Sequence, residues 1–267
     1  VKVVSLNAWG GKLGAPLIDY LVGEAPDVLC LQEVVHTPEA TKDWLTYRDG
    51  AHVLPQRTNL FGELAAALPG HSGTFCPASQ GELWDGDVPV PSQFGIATFV
   101  RHGLPLIGQA QGFVHGTYSP HGYRAHPRPR NAHVVRVYDY ESDRAVTIGH
   151  MHGLRDLAAG KADTPERLAQ ALALARLVNG VAGSGDPVVV CGDFNIEPGS
   201  ETFAVLGESG FEDLVQRHGL GGTRTSHYTK PGRFADYMLV NPRVEVRSFG
   251  VVSTPEVSDH CPLVLEF

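Results

Sequence analysis

No stretch of this chain is long and apolar enough to span a bilayer, and no signal-like apolar segment opens it. Cysteine is scarce, with four among 267 residues, and none falls at a paired spacing. Cys30, Cys191 and Cys261 lie in apolar, strand-like runs and Cys76 lies beside a turn. They read as small reduced core residues rather than a disulfide framework, so a cytoplasmic location is expected. Basic residues are in deficit, 21 Lys and Arg against 29 Asp and Glu, for a formal charge of −8. That balance argues against broad, non-specific affinity for nucleic acid. Linkers, low-complexity tracts and internal repeats are also lacking. Residues 1–267 are therefore expected to form one domain and a monomer, with enough chain to bury a core without staples.

What is present is a series of short β-rich runs interrupted by a few helical segments. The runs Val1–Leu6, Val28–Leu31, Gly95–Val100, Leu104–Phe113, His133–Tyr140, Ala145–His150, Val188–Cys191, Tyr237–Val240 and Leu263–Phe267 read as strands. Thr164-Pro165-Glu166 is an N-cap with proline at the first helical position, and Leu168, Ala171, Leu172, Ala175 and Val178 then share one face. Thr37-Pro38-Glu39 repeats that start signal, Ala15–Glu24 is amphipathic, and Ser200 caps a segment reaching Gly207. Glu82–Pro91 and Gly116–Pro129 read as surface loops. So many strands with so few helices exclude a strictly alternating βα barrel and favour packed sheets with helices outside.

The run Val188–Pro198, VVVCGDFNIEP, shows where chemistry could sit. An apolar strand delivers Asp193 and Asn195 into a turn, and ligands of open α/β sheets bind at carboxyl strand ends. Other strands end in the same way, in Asn7, in Gln32-Glu33 and in His152, and the last strand is entered from Ser258-Asp259-His260. Each residue alone has an ordinary turn role. Together they supply carboxylates for a hard cation, amides for phosphoryl oxygens and two imidazoles that titrate near neutrality.

Leu6-Asn7, Leu31-Gln32-Glu33, Gly192-Asp193-Phe194-Asn195 and Ser258-Asp259-His260, in that order across nearly the whole chain, resemble the endonuclease/exonuclease/phosphatase superfamily. The resemblance implies an α/β (α+β) four-layer sandwich of two packed, mainly antiparallel β-sheets flanked by helices. It also implies phosphoester hydrolysis by direct attack of an activated water, with a divalent metal: magnesium, or manganese or calcium in its place. Glu33 is the expected metal ligand, because one carboxylate with waters and substrate oxygens is how magnesium is usually held. Asn7 and Asp259 join it at the metal, and Asn7 also serves the phosphate. Asp193 orients or deprotonates the attacking water, and Asn195 donates to a phosphoryl oxygen. His260 binds that oxygen or assists the water, with Asp236 fixing its tautomer and raising its pKa. His152 matches a second histidine that aids the leaving oxygen, and Gln93 stands where a glutamate would orient it. Arg130, which ends a basic loop without acids, is expected to face the phosphate.

Three competing readings remain. His150 and His152, two apart on a strand, suit a zinc hydrolase. A binding module without catalysis is also compatible with such a fold. Within the phosphoesterase reading, the acidic balance favours a small or lipid-derived substrate over DNA or RNA. Trp84 could either line a pocket or anchor its loop.

Overall fold

The computed structural model describes residues 1–267. Fourteen strands form two sheets. The first has the order β13 (Ser248–Val251), β14 (Leu263–Glu266), β1 (Lys2–Asn7), β2 (Val28–His36), β6 (Val88–Arg101), β5 (His71–Asp85), β3 (Trp44–Asp49) and β4 (His52–Arg57). The second runs β11 (Glu212–Asp213), β12 (Asp236–Val240), β10 (Val188–Asp193), β9 (Arg144–His152), β8 (Arg130–Asp139) and β7 (Leu106–His115). Only β1 with β2 and β9 with β10 pair in parallel; all other pairs are antiparallel.

Four layers follow from strands that are apolar on both faces. On β2, Val28 and Cys30 join the core between the sheets, while Leu29 and Leu31 pack with helices α1 (Ala15–Glu24) and α2 (Leu60–Ala67). Strand β1 divides likewise, Val3 to the inter-sheet core and Val4 and Leu6 to the helices. On the far side α3 (Pro165–Val181) covers the second sheet, with Val178 3.1 Å from where a Cβ on Gly149 would stand. Burial on both faces is why these strands read as unbroken apolar runs rather than alternating ones.

Several expectations about elements need correction. No helix follows Thr37; the chain leaves β2 there in a turn. Glu82–Pro91 is not a loop but the end of the β5–β6 hairpin, in which Asp85 pairs with Val88 around Gly86-Asp87. Trp84 is an anchor: it pairs with Thr46 and lies under the Arg48 guanidinium at 4.8 Å. Helix α3 starts at its Thr164 cap, but its buried face is Arg167, Gln170, Ala171, Leu174, Ala175 and Val178, leaving Leu168 and Leu172 exposed. The rotation has a polar cause. Arg167 donates to the carbonyls of Gly160 at 2.6 Å and of Leu154 and Asn195 at 3.3 Å, and Gln170 accepts the Leu154 N–H at 2.8 Å. Those carbonyls belong to the loops around the cleft described next, so the helix face serves the loops before it serves the core. No helix of the structure is long and apolar enough to cross a membrane.

Candidate functional site

Strand register assembles the cleft floor. In the second sheet Asp193 lies opposite His152 on one side and opposite Asp236 on the other, so three strand ends present their polar residues in one row. In the first sheet Asn7 is level with Gln32. The next residue, Glu33, sits where the β2–β6 register slips and adopts φ +55°, outside the usual range for a side chain of its size. A bulge at this point re-aims the side chain, which is how sheet edges commonly supply site residues. Gly192 shows why the turn sequence is so restricted: its φ is +129°, and a Cβ there would stand 2.1 Å from the Met151 carbonyl oxygen.

These residues open into a cleft of about 470 Å³ lined by Glu33, Arg130, His152, Asp193, Asn195, Asp259 and His260, among others. Asp193 is its centre. Its Oδ2 accepts from Asn7 Nδ2 at 3.0 Å, its Oδ1 accepts the Asn195 N–H at 2.9 Å, and the Nε2 atoms of His152 and His260 both lie 3.7 Å from Oδ2. His152 Nε2 is also 3.9 Å from Glu33 Oε1. Arg130 is buried, donates to the Gly153 carbonyl at 2.9 Å and faces the same carboxylates; burial first, opposed by Glu33 and Asp193, brings it down to about 10. All nine residues proposed from the motifs thus surround one floor, with Asn7 and Asp236 just behind the lining.

The Asp236–His260 pair is formed, with Nδ1 2.9 and 2.8 Å from the two carboxylate oxygens. Arg224, which the motifs did not reveal, donates to His260 Nε2 and to Asp259 Oδ2, the latter at 3.0 Å. Guanidinium can only donate, so Nε2 carries the lone pair and Nδ1 carries the proton given to Asp236. The expected rise in the His260 pKa is therefore overturned. Burial and then Arg224 push it down to about 4, and burial raises Asp236 to about 7. His152 is driven well below the usual imidazole range by burial and then by Arg130. The residue of β6 that faces it is Phe94, ring centroids 6.3 Å apart, and Gln93 makes no hydrogen bond to it.

His150 points elsewhere. Its Nδ1 is 3.2 Å from Gln32 Nε2 and its Nε2 2.8 Å from Thr98 Oγ1, between the sheets. With both ring nitrogens engaged in the core, the paired-histidine zinc site is not formed.

The donor set suits a hard cation. Burial and the neighbouring Asp193 raise the Glu33 carboxyl, and burial likewise raises Asp259, whose Oδ1 is buried without a hydrogen-bond partner. Carboxylates crowded this way are relieved by a cation. Asp193, Asp236 and His260 bring ligand atoms within 4.8 Å of one another, although the Asp236–His260 pair is closed on itself. Asn7 accepts the Trp9 N–H on its oxygen at 3.0 Å and turns its amide donor to Asp193. That makes it an anion-facing donor rather than a cation ligand.

The sequence profile of the Endonuclease/Exonuclease/phosphatase family matches residues 4–260. No curated protein matches the chain. Among solved structures it is similar to the mannosyl-6-phosphatase Bt3783 of Bacteroides thetaiotaomicron, 16% identical over 100% of this chain and 98% of that one, TM-score 0.69. It is also similar to the human Nocturnin catalytic domain with bound sulfate, 22% identical over 99% and 93%, TM-score 0.65. A third is D. rerio TDP2 complexed with a single-strand DNA product, 16% identical over 99% and 97%, TM-score 0.65. At these identities the likeness is one of fold.

Proposed function

The chain belongs to the endonuclease/exonuclease/phosphatase family, whose members hydrolyse phosphoesters, and from that premise we propose a divalent-metal-dependent phosphoesterase acting on a small or lipid-derived substrate. The carrying observation is the meeting of Glu33, Asp193 and Asp259 with Arg130 and two imidazoles on one enclosed floor. Glu33 and Asp259 hold the metal, magnesium by the hardness of the donors. When bound, the metal supplies positive charge against the phosphoryl oxygens.

Arg130 and Asn195 receive the phosphoryl oxygens, where charge grows in the transition state. Asp193, held by Asn7 and by the Asn195 backbone, orients the attacking water. His260 takes up a proton at Nε2 while Asp236 keeps the ring turned, and Arg224 releases Nε2 to the incoming group. His152 stands on the other side of Asp193, where the leaving oxygen needs a donor.

The overall charge of −8 favours a small substrate over a polyanion. The likeness to a protein holding single-strand DNA keeps a nuclease as the second reading. A panel of a chromogenic phosphodiester, a phosphomonoester, sphingomyelin and plasmid DNA, each with magnesium and with chelator, separates them. Metal-dependent cleavage of a small ester with a weak salt response is expected. Efficient plasmid nicking that falls steeply between low and physiological salt would instead establish the nuclease, and no turnover of any substrate would remove the phosphoesterase reading.

A further inference from the structure

Five carboxylates and six Lys or Arg side chains line the cleft, so its lining is formally positive in an acidic chain. Most of those cations are already engaged. Arg128 binds Asp49 at 2.7 Å, Arg130 the Gly153 carbonyl, Arg224 Asp259 and His260, and Lys161 Glu197 and two backbone carbonyls. Arg155 and Lys230 have no hydrogen-bond or ion-pair partner within the chain, and of the two only Arg155 is partly buried inside the cleft wall.

Arg155 is also held in place by its backbone. Leu154 before it is buried, with its N–H given to Gln170 and its carbonyl to Arg167, and Asp156 after it accepts the N–H groups of Ala158 and Ala159 at 2.8 and 2.9 Å. The pinned backbone fixes the point from which the guanidinium reaches into the cleft, while the freedom of the side chain itself is lost only when it binds. Its charge is felt at Glu33, Arg130, His152 and His126, on the His152 side of Asp193.

Resting on the phosphoesterase reading, we propose that Arg155 is a specificity residue that receives a second anionic group, phosphate or carboxylate, carried by the part of the substrate that leaves. The side is set by His152, the residue placed at the leaving oxygen. Planar, two-pronged recognition of phosphate or carboxylate is what a free guanidinium offers and a lysine does not.

Calorimetric binding of glucose 6-phosphate and glucose 1,6-bisphosphate tests the subsite, with hydrolysis of both measured in parallel. The protein should bind the bisphosphate about 10- to 100-fold more tightly, the range for a charge-assisted contact. In Arg155→Gln the two Kd values should fall within about threefold of each other, Arg155→Lys should keep part of the preference, and Lys230→Gln should keep all of it. Equal affinity in the unaltered protein, or a preference that survives Arg155→Gln, overturns the subsite. If the preference behaves as expected and yet neither these sugars nor the wider panel are hydrolysed, the subsite stands and the phosphoesterase reading fails.

Discussion

His150 and His152 lie two residues apart on β9, are equally buried, and belong to opposite kinds of surroundings. His150 is one link in a hydrogen-bonded row between the sheets, from Gln32 through His150 to Thr98 and on to His133, whose Nε2 is 3.3 Å from Gln109. Every ring nitrogen in that row has a neutral partner. His152 faces the carboxylates of Glu33 and Asp193 across 3.9 and 3.7 Å, with a guanidinium nearby and no hydrogen bond that closes the set. Both regions bury polar groups at a cost, and the core row itself leaves one acceptor, Gln32 Oε1, without a partner, but only in the cleft do carboxylates and an imidazole face one another without a hydrogen bond between them. A row of neutral, paired ring nitrogens makes the core specific; unpaired charged groups are prepared for a ligand.

The sharpest way to break this contrast is at Glu33. Glu33→Gln removes the expected metal ligand and should lower turnover by about 10³-fold, at the upper end for loss of one charge-stabilising group. It also removes a carboxyl that burial and Asp193 hold above its ordinary range, so the metal-free variant should melt at or above the temperature of the unaltered protein. Thermal melts with and without magnesium check both halves. Unchanged activity together with an unchanged magnesium titration would take Glu33 out of the site.

Next in size is Asp236. Asp236→Asn keeps the shape but loses the carboxylate that fixes the His260 tautomer, and kcat should fall by about 10²- to 10³-fold with little change in KM. A double variant with His260→Ala should lose little more than His260→Ala alone. Additive losses would mean that the two do not act as a unit, and that Asp236 is a strand-end carboxylate only.

The same contrast explains what was legible in the sequence. Asn7, Glu33 and Asp193 were found because each follows an apolar run that fixes where it emerges, and His260 because it leads into one. Arg224 was not, because it lies in a segment without periodicity and reaches His260 only through an isolated bridge between distant loops. The inward turn of Arg167 was hidden too, since apolar spacing on α3 favoured Leu168 and Leu172, and only the carbonyls of the neighbouring loops decide otherwise. The hairpins turn on Gly50-Ala51 and Gly86-Asp87, and each did carry the leading glycine, at φ +58° and +57°, that a tight two-residue turn favours. That signal was masked by strands too polar to read as core, with Pro55, Pro89 and Pro91 inside them. The missing helix after Thr37 is the converse case, in which a cap and a proline are present but no apolar face follows to bury.

On the satisfied side of the contrast, His150→Ala should cost stability rather than chemistry. It takes one partner from Gln32 and one from Thr98, which keeps His133, and opens a void between the sheets, a loss of about 3 kcal/mol in a denaturant titration. Activity per folded molecule should change less than tenfold. A collapse of turnover at unchanged stability would place His150 in the site after all.

The smallest expected effect isolates one titration in the same row. Burial holds His133 down to about 4, so the folded protein keeps it neutral while the unfolded chain takes up a proton near 6.5. Stability tied to this ring is therefore complete above about pH 6.5 and is lost as pH falls toward 4, where the folded state is at last protonated too. The loss should be on the order of 2 kcal/mol across that window, somewhat less than the full burial shift because Gln109 at its edge is exposed. Other lowered histidines, His126 and His152 among them, move stability in the same direction. The informative quantity is thus the difference between the unaltered protein and His133→Gln, measured by urea unfolding at pH 7, 6, 5 and 4. The variant should be the less stable of the two at pH 7, and the gap should narrow as pH falls. A gap that stays constant would mean that Thr98 and Gln109 hold the ring equally well in both charge states, and that this row is not the neutral counterpart of the cleft.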